Sequence, residues 1–185
     1  MALNFTLDDT QKQVANIKVV GVGGGGGNAL NNMIEQGLSG VSFVAANTDA
    51  QVLARSLAQT RLQLGSNSTK GLGAGGKPEI GRDAAESDRA HIKELLEDTE
   101  MVFITAGMGG GTGTGAAPVI ARIAKEQGAI VIATVTLPFK LEGARIAKAE
   151  EGLEELREVS DTVIVIENQK LLEFAGNMSL KNAFA

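Results

Sequence analysis

The sequence predicts a doubly wound α/β fold: a mostly parallel sheet with helices on both faces, of the Rossmann-like type. Three observations carry this. Short runs rich in Val and Ile alternate with longer helix-like stretches along the 185 residues. The runs are apolar at nearly every position, as strands buried on both faces are. Two of them pass through consecutive glycines straight into a helix-like segment, the junction that parallel βαβ units use to hold ligands at the ends of their strands.

The elements follow in order. Residues 17–22 (Ile-Lys-Val-Val-Gly-Val) form the first strand, and Gly23, Gly24, Gly25, Gly26 and Gly27 lead to a helix over 28–36 with Asn28 as its N-cap. A second strand spans 41–46 and a helix 50–57. A turn-like stretch at 66–70 and the glycines from Gly71 to Gly76 precede a long helix over 79–97. The third strand, 101–105, enters Gly107-Met108-Gly109-Gly110-Gly111-Thr112-Gly113-Thr114-Gly115 and then a helix over 116–127 that Pro118 starts. A strand at 130–136, a helix at 145–159 and a strand at 162–166 complete the order. Ile146, Ala149, Leu153 and Leu156 give that last helix one apolar face. Residues 1–16 read as a loosely attached arm, 17–178 as one domain, and 179–185 as the opening of a further helix capped by Ser179.

Composition narrows the function. The chain has 24 glycines, where ordinary usage would give about 13, and most of the excess lies in the loops. A net charge of −5 with no basic cluster argues against a nucleic-acid partner. The absence of cysteine excludes disulfides and thiolate chemistry. No apolar run is long enough to span a bilayer, so no membrane insertion and a cytoplasmic location are expected.

The two glycine turns carry the chemistry. Glycine permits positive φ and brings backbone N–H groups close to a ligand. A helix N-terminus adds unpaired donors and partial positive charge, and the hydroxyls of Thr112 and Thr114 are available to cap the helix or to meet phosphate oxygens. Two such turns at one sheet edge would surround a polyphosphate.

Two rival motifs fare worse. Gly21-Val22-Gly23-Gly24-Gly25-Gly26 satisfies the G-x-G-x-x-G pattern of a dinucleotide (NAD) site in an oxidoreductase. Its acidic partner would be Asp49, and that reading leaves the turn at 107–115 without a purpose. Gly71-Leu72-Gly73-Ala74-Gly75-Gly76-Lys77 matches a P-loop until Pro78, which has no hydroxyl for magnesium where serine or threonine is required. His91, the only histidine, sits among Asp88, Arg89 and Lys93 and reads as a solvated surface residue. No cluster has metal-ligand spacing, and no catalytic residue is identified within the chain.

The motif Gly109-Gly110-Gly111-Thr112-Gly113-Thr114-Gly115 resembles the signature of the tubulin/FtsZ superfamily of filament-forming GTPases. The resemblance runs from about Ile17 to Ala185 and includes Asn28-Ala29, Asn47-Thr48-Asp49-Ala50, Gly71–Gly75, Pro138-Phe139, Glu142-Gly143 and Asn168. It implies GTP or GDP as ligand, with magnesium accompanying GTP. Backbone from Gly24 to Asn28 and from Gly110 to Thr114 would wrap the phosphates, and the loop with Gly73, Ala74 and Gly75 would respond to the γ-phosphate. Glu142 would contact ribose, Asn168 guanine, and Phe184 the flat face of the base. The family's Glu-Gly-x-x-Arg departs here to Glu142-Gly143-Ala144-Arg145-Ile146. The arginine arrives one position early, turned about 100° round a helix, which leaves open whether Arg145 reaches the nucleotide.

The resemblance also implies a partner. In the family a second domain follows, and its acidic residues complete hydrolysis in the next subunit's site within a head-to-tail filament. The sequence in hand shows only the opening of the helix that leads there. The chain is therefore expected to bind guanine nucleotide, to hydrolyse GTP poorly alone, and to cap filaments at the division site rather than build them.

Overall fold

The computed structural model describes residues 15–170. Six strands form one sheet: β1 (Ile17–Val22), β2 (Ser42–Asn47), β3 (Thr60–Gln63), β4 (Met101–Gly107), β5 (Ile130–Leu137) and β6 (Thr162–Glu167). Their order across the sheet is β3-β2-β1-β4-β5-β6, and every neighbouring pair is parallel. The order reverses direction between β1 and β4, the switch point where doubly wound sheets open a crevice for ligands.

Seven helices connect the strands: α1 (Gly23–Glu35), α2 (Ala50–Ala54), α3 (Ser66–Thr69), α4 (Pro78–Ser87), α5 (Arg89–Leu96), α6 (Thr112–Glu126) and α7 (Ala144–Val159). Side chains alternate along β1, so Val20 and Val22 join one core while Val19 joins the other. The larger core packs α4 to α7 against the sheet through residues such as Ile92, Ile120 and Leu156. The smaller holds α1 and α2 on the opposite face around Leu30, Phe43 and Leu53.

Four expectations change. First, β3 (Thr-Arg-Leu-Gln) was not expected, because an edge strand only half-covered by packing carries no apolar run. Second, α1 begins at Gly23, directly after β1, so Asn28 lies inside the helix and is not its N-cap. The glycines are helical because α1 enters against the neighbouring strand: a Cβ on Gly26 would stand 2.1 Å from the Thr105 carbonyl oxygen. Third, α6 begins at Thr112, and Pro118 lies within it rather than at its start. Fourth, the helix expected over 79–97 is two. Asp88 interrupts it at φ −102, ψ 17, and its carboxylate accepts a 2.6 Å hydrogen bond from the Gly65 N–H. That bond satisfies a backbone donor at the left-handed Gly65 and turns α5 away from α4.

Smaller features support these elements. Asp49 caps α2, accepting from the N–H groups of Gln51 and Val52 at 2.9 and 3.1 Å. Pro78 occupies the first turn of α4, where a missing N–H costs nothing. Arg89 on α5 pairs with Glu126 on α6, which holds the Glu126 carboxyl below its ordinary value. Asn16 extends the central β1–β4 pairing by one residue, its carbonyl accepting from Glu100 N–H at 3.0 Å. The rest of the expected arm, and residues 179–185 with Phe184, lie outside the described residues. No helix among the described residues is long and apolar enough to cross a membrane.

Candidate functional site

A cavity of about 320 Å³ opens at the carboxyl ends of β1, β4 and β5, at the switch point. Gly24 and Gly25 of α1 form one wall, and Gly107, Met108 and Gly110–Gly113 form the second. Thr136, Pro138, Glu142, Arg145 and Asn168 close the third. Both glycine turns thus face one space.

Each turn ends in a helix whose first N–H groups have no partner inside the helix. In α6 the first bond of this kind is Gly115 N–H to the Gly111 carbonyl at 3.0 Å, which leaves the donors of Thr112, Gly113 and Thr114 at the open end. Neither α1 nor α6 has a side-chain cap or an acidic residue in its first turn, so neither helix dipole is neutralised locally. Two uncapped helix ends beside one cavity favour an anion.

The glycines divide by what surrounds them. Added Cβ atoms would meet nothing within 4 Å at Gly24 and Gly110, so these two backbones lie open to the cavity. Elsewhere the chain is in tight contact. A Cβ on Gly25 would be 3.1 Å from the Gly107 Cα, one on Gly113 2.5 Å from the Gly107 oxygen, and one on Gly111 2.7 Å from the Ala74 Cβ. Gly23 and Gly109 supply the positive φ, +70° and +91°, that each turn needs.

Not every expected residue lies on the wall. Gly23 and Gly26 are structural, and Gly27 and Asn28 face an adjoining recess of about 290 Å³ with Asn31 and Arg55. The threonine hydroxyls have other partners. Thr112 Oγ1 lies 2.6 Å from Thr48 Oγ1, and Thr114 Oγ1 accepts from the Gly109 N–H at 2.8 Å. Thr112 still lines the cavity, whereas Thr114 shapes the loop from behind. Gly73, Ala74 and Gly75 stand outside the cavity wall, with buried Ala74 packed behind Gly111.

Glu142 and Arg145 sit together. Glu142 ends a 3-10 turn, Lys140–Glu142; its Oε1 accepts from the Phe139 N–H at 2.9 Å and its Oε2 from Arg145 Nη1 at 2.8 Å. The early arrival of Arg145 therefore does not remove it from the wall. The start of α7 presses on the signature loop: a Cβ on Gly109 would be 2.8 Å from the Arg145 carbonyl. Asn168 follows β6, and its Oδ1 is buried on the wall without a hydrogen-bond partner, an acceptor open to a ligand's N–H.

Thr136 and Pro138 were not anticipated as wall residues. Their signal was positional: β5 lies parallel beside β4, so its carboxyl end had to reach the same crevice. Among the described residues no three His, Cys, Asp or Glu side chains gather into a metal cage.

Comparison with known proteins places this architecture. A model of the Tubulin/FtsZ family, GTPase domain, matches residues 16–176. The cell division protein FtsZ of Coxiella burnetii is 56% identical over 182 residues, covering 97% of this chain and 47% of that protein. FtsZ of Azotobacter vinelandii is 57% identical over 183 residues, with 98% and 46% covered. The chain thus spans about half the length of the curated relatives it matches. Among solved structures, an empty FtsZ dimer from M. jannaschii superposes with a TM-score of 0.88 at 51% identity, covering 92% of this chain and 50% of that one. CetZ2 from Haloferax volcanii, solved as a GTPγS-bound protofilament, gives a TM-score of 0.79 at 27% identity, covering 91% and 53%. With the strand order, the paired glycine turns and these matches in agreement, the chain belongs to the Tubulin/FtsZ family and carries its GTPase domain.

Proposed function

We propose that this chain binds GTP and GDP in the switch-point cavity, as the nucleotide-holding half of an FtsZ-like cell-division GTPase. The observation that supports this most is the convergence of two uncapped helix N-termini on one cavity, with Gly24 and Gly110 open to it. Backbone N–H groups of both turns hold the phosphates. Glu142 takes the ribose, and Asn168 Oδ1 accepts from the guanine edge, which presents N–H donors there. Arg145, already paired to Glu142, adds positive charge on the same wall. Phe184, which the resemblance sets against the base, lies outside the described residues, and the loop of Gly73, Ala74 and Gly75 reports the γ-phosphate from behind Gly111.

Among the described residues the cavity wall carries one carboxylate, Glu142, already engaged by the Phe139 N–H and Arg145, so a magnesium ion accompanying GTP would be held chiefly by the nucleotide's phosphates and water. When bound it supplies charge neutralisation at the β- and γ-phosphates. Hydrolysis in this reading needs acidic groups from a neighbouring subunit docked head to tail, a contact that propagates into a filament. The CetZ2 relative, solved as a protofilament, is in keeping with such an assembly. Without such a neighbour docked on it, the chain turns GTP over slowly.

The test is to denature the purified chain, identify any released nucleotide, and titrate GTP, GDP, ATP and NAD by calorimetry. Binding of guanine nucleotides alone is expected. Preference for NAD, or binding of none of the four, overturns the reading.

A further inference from the structure

The 70–77 loop is built to be loose. Lys70, Gly71, Gly73, Gly75 and Gly76 all have positive φ, and its two halves are anchored differently. The first half is held by backbone bonds: Ala50 N–H to the Gly71 carbonyl at 3.1 Å, and Gly73 N–H to the Thr48 carbonyl at 3.2 Å. In the second half, Ala74 is buried behind Gly111, and Lys77 begins the turn into α4. Between them Gly75 and Gly76 are exposed, and Cβ atoms added there would touch nothing within 4 Å. A turn bond from the Lys77 N–H to the Ala74 carbonyl at 3.0 Å closes over these two residues, and their outer side is left uncovered.

A side chain from a distant helix reaches them. Lys148 of α7 donates from Nζ to the Gly76 carbonyl at 2.7 Å, across 72 residues of sequence. Two turns further along α7, the Arg82–Glu155 ion pair joins the same helix to α4, which the loop leads into. Gly76 is no remote point, because its amide nitrogen lies 3.2 Å from where a Gly111 Cβ would stand. A hold on Gly76 is therefore a hold on the contact between this loop and the signature turn.

We propose that Lys148 is a positioning residue that keeps the 70–77 loop closed behind Gly111, and that the preference for a guanine triphosphate over the diphosphate depends on it. The second clause rests on the proposed role of this loop at the γ-phosphate; the first stands on geometry alone. Losing a partly exposed, charge-assisted bond loosens the loop without unfolding the domain. A diphosphate, which ends before the loop, does not sense the change.

The experiment compares the 185-residue chain with Lys148→Met and Lys148→Arg. Amide hydrogen exchange over 70–77 is measured without nucleotide, and affinities for GDP and a non-hydrolysable GTP analogue are measured by calorimetry. Lys148→Met is expected to speed exchange there by about two- to fivefold and to weaken the GTP analogue by a similar factor, with GDP unchanged. Lys148→Arg, which keeps a donor of similar reach, restores both. If Lys148→Met destabilises the fold, exchange outside 70–77 rises as well, and Lys148→Gln replaces it. Unaltered exchange overturns the tether. Faster exchange with equal weakening of both nucleotides, or of neither, overturns the link to the triphosphate. A parent chain that binds neither nucleotide overturns the reading of the site instead, and the exchange arm still decides the tether.

Discussion

The turn after β1 and the turn after β4 are written in nearly the same letters and solve different packing problems. After β1 the chain enters α1 with no intervening loop, and Gly21, Gly25 and Gly26 let that helix lie against β1 and β4. After β4 a four-residue loop, 108–111, precedes α6. That loop is held from outside by Thr114, the start of α7 and the 70–77 loop. In each turn only one glycine of the cavity wall, Gly24 or Gly110, is free of protein contact. Most glycines of these turns serve helix–strand and helix–helix approach, and few serve the ligand directly.

The largest expected effect tests the packing side. Gly26→Ala would put a Cβ 2.1 Å from the Thr105 oxygen, and Gly115→Ala one 1.9 Å from the Pro78 oxygen, both rigid backbone. Each should cost about 3 kcal/mol or more of stability, measured by urea denaturation. A loss under about 1 kcal/mol at either would break the division between packing and ligand glycines.

The next effect is on binding. Gly24→Ala and Gly110→Ala meet open space, so stability should hold while affinity for guanine nucleotide falls about tenfold, or about 1.4 kcal/mol. Calorimetry on folded protein checks both. Unchanged affinity would move the phosphate contacts away from these backbones.

The smallest effect has the opposite sign. Gly27 is helical, uncrowded and off the main cavity. Gly27→Ala should raise stability by about 0.5–1 kcal/mol through helix propensity and a less free unfolded chain. Nucleotide affinity should not change.

How much of this was open to reading follows from where each signal came from. The four inner strands announce themselves because burial on both faces forces an apolar run, and β6, though at an edge, keeps one over 163–166. β3 does not, since an edge strand with Thr60 and Arg61 exposed carries no such pattern. The start of α1 is hidden because five consecutive glycines look like loop to any propensity argument, and only its close approach to β4 accounts for them in a helix. The break at Asp88 depends on a partner 23 residues away, which periodicity cannot register. At the site, the two turns could be read from their strand–glycine–helix order, but the hydroxyls of Thr112 and Thr114 could not, because one meets Thr48 from 64 residues away and the other turns back onto its own loop. Asn168 entered through family resemblance, and the structure adds a reason of its own in its unpartnered oxygen.

Thr48 is fully buried at the end of β2, its hydroxyl against Thr112 and its carbonyl accepting from Gly73 and from the Thr69 hydroxyl. One residue is thus a common pin between the first turn of α6, on the cavity wall, and the loop behind it. Thermodynamic reciprocity then applies: whatever free energy a ligand spends in favouring one setting of the loop, the loop returns as preference for that ligand. A surface that docks on the loop from outside would, through this pin, retune the cavity without touching it.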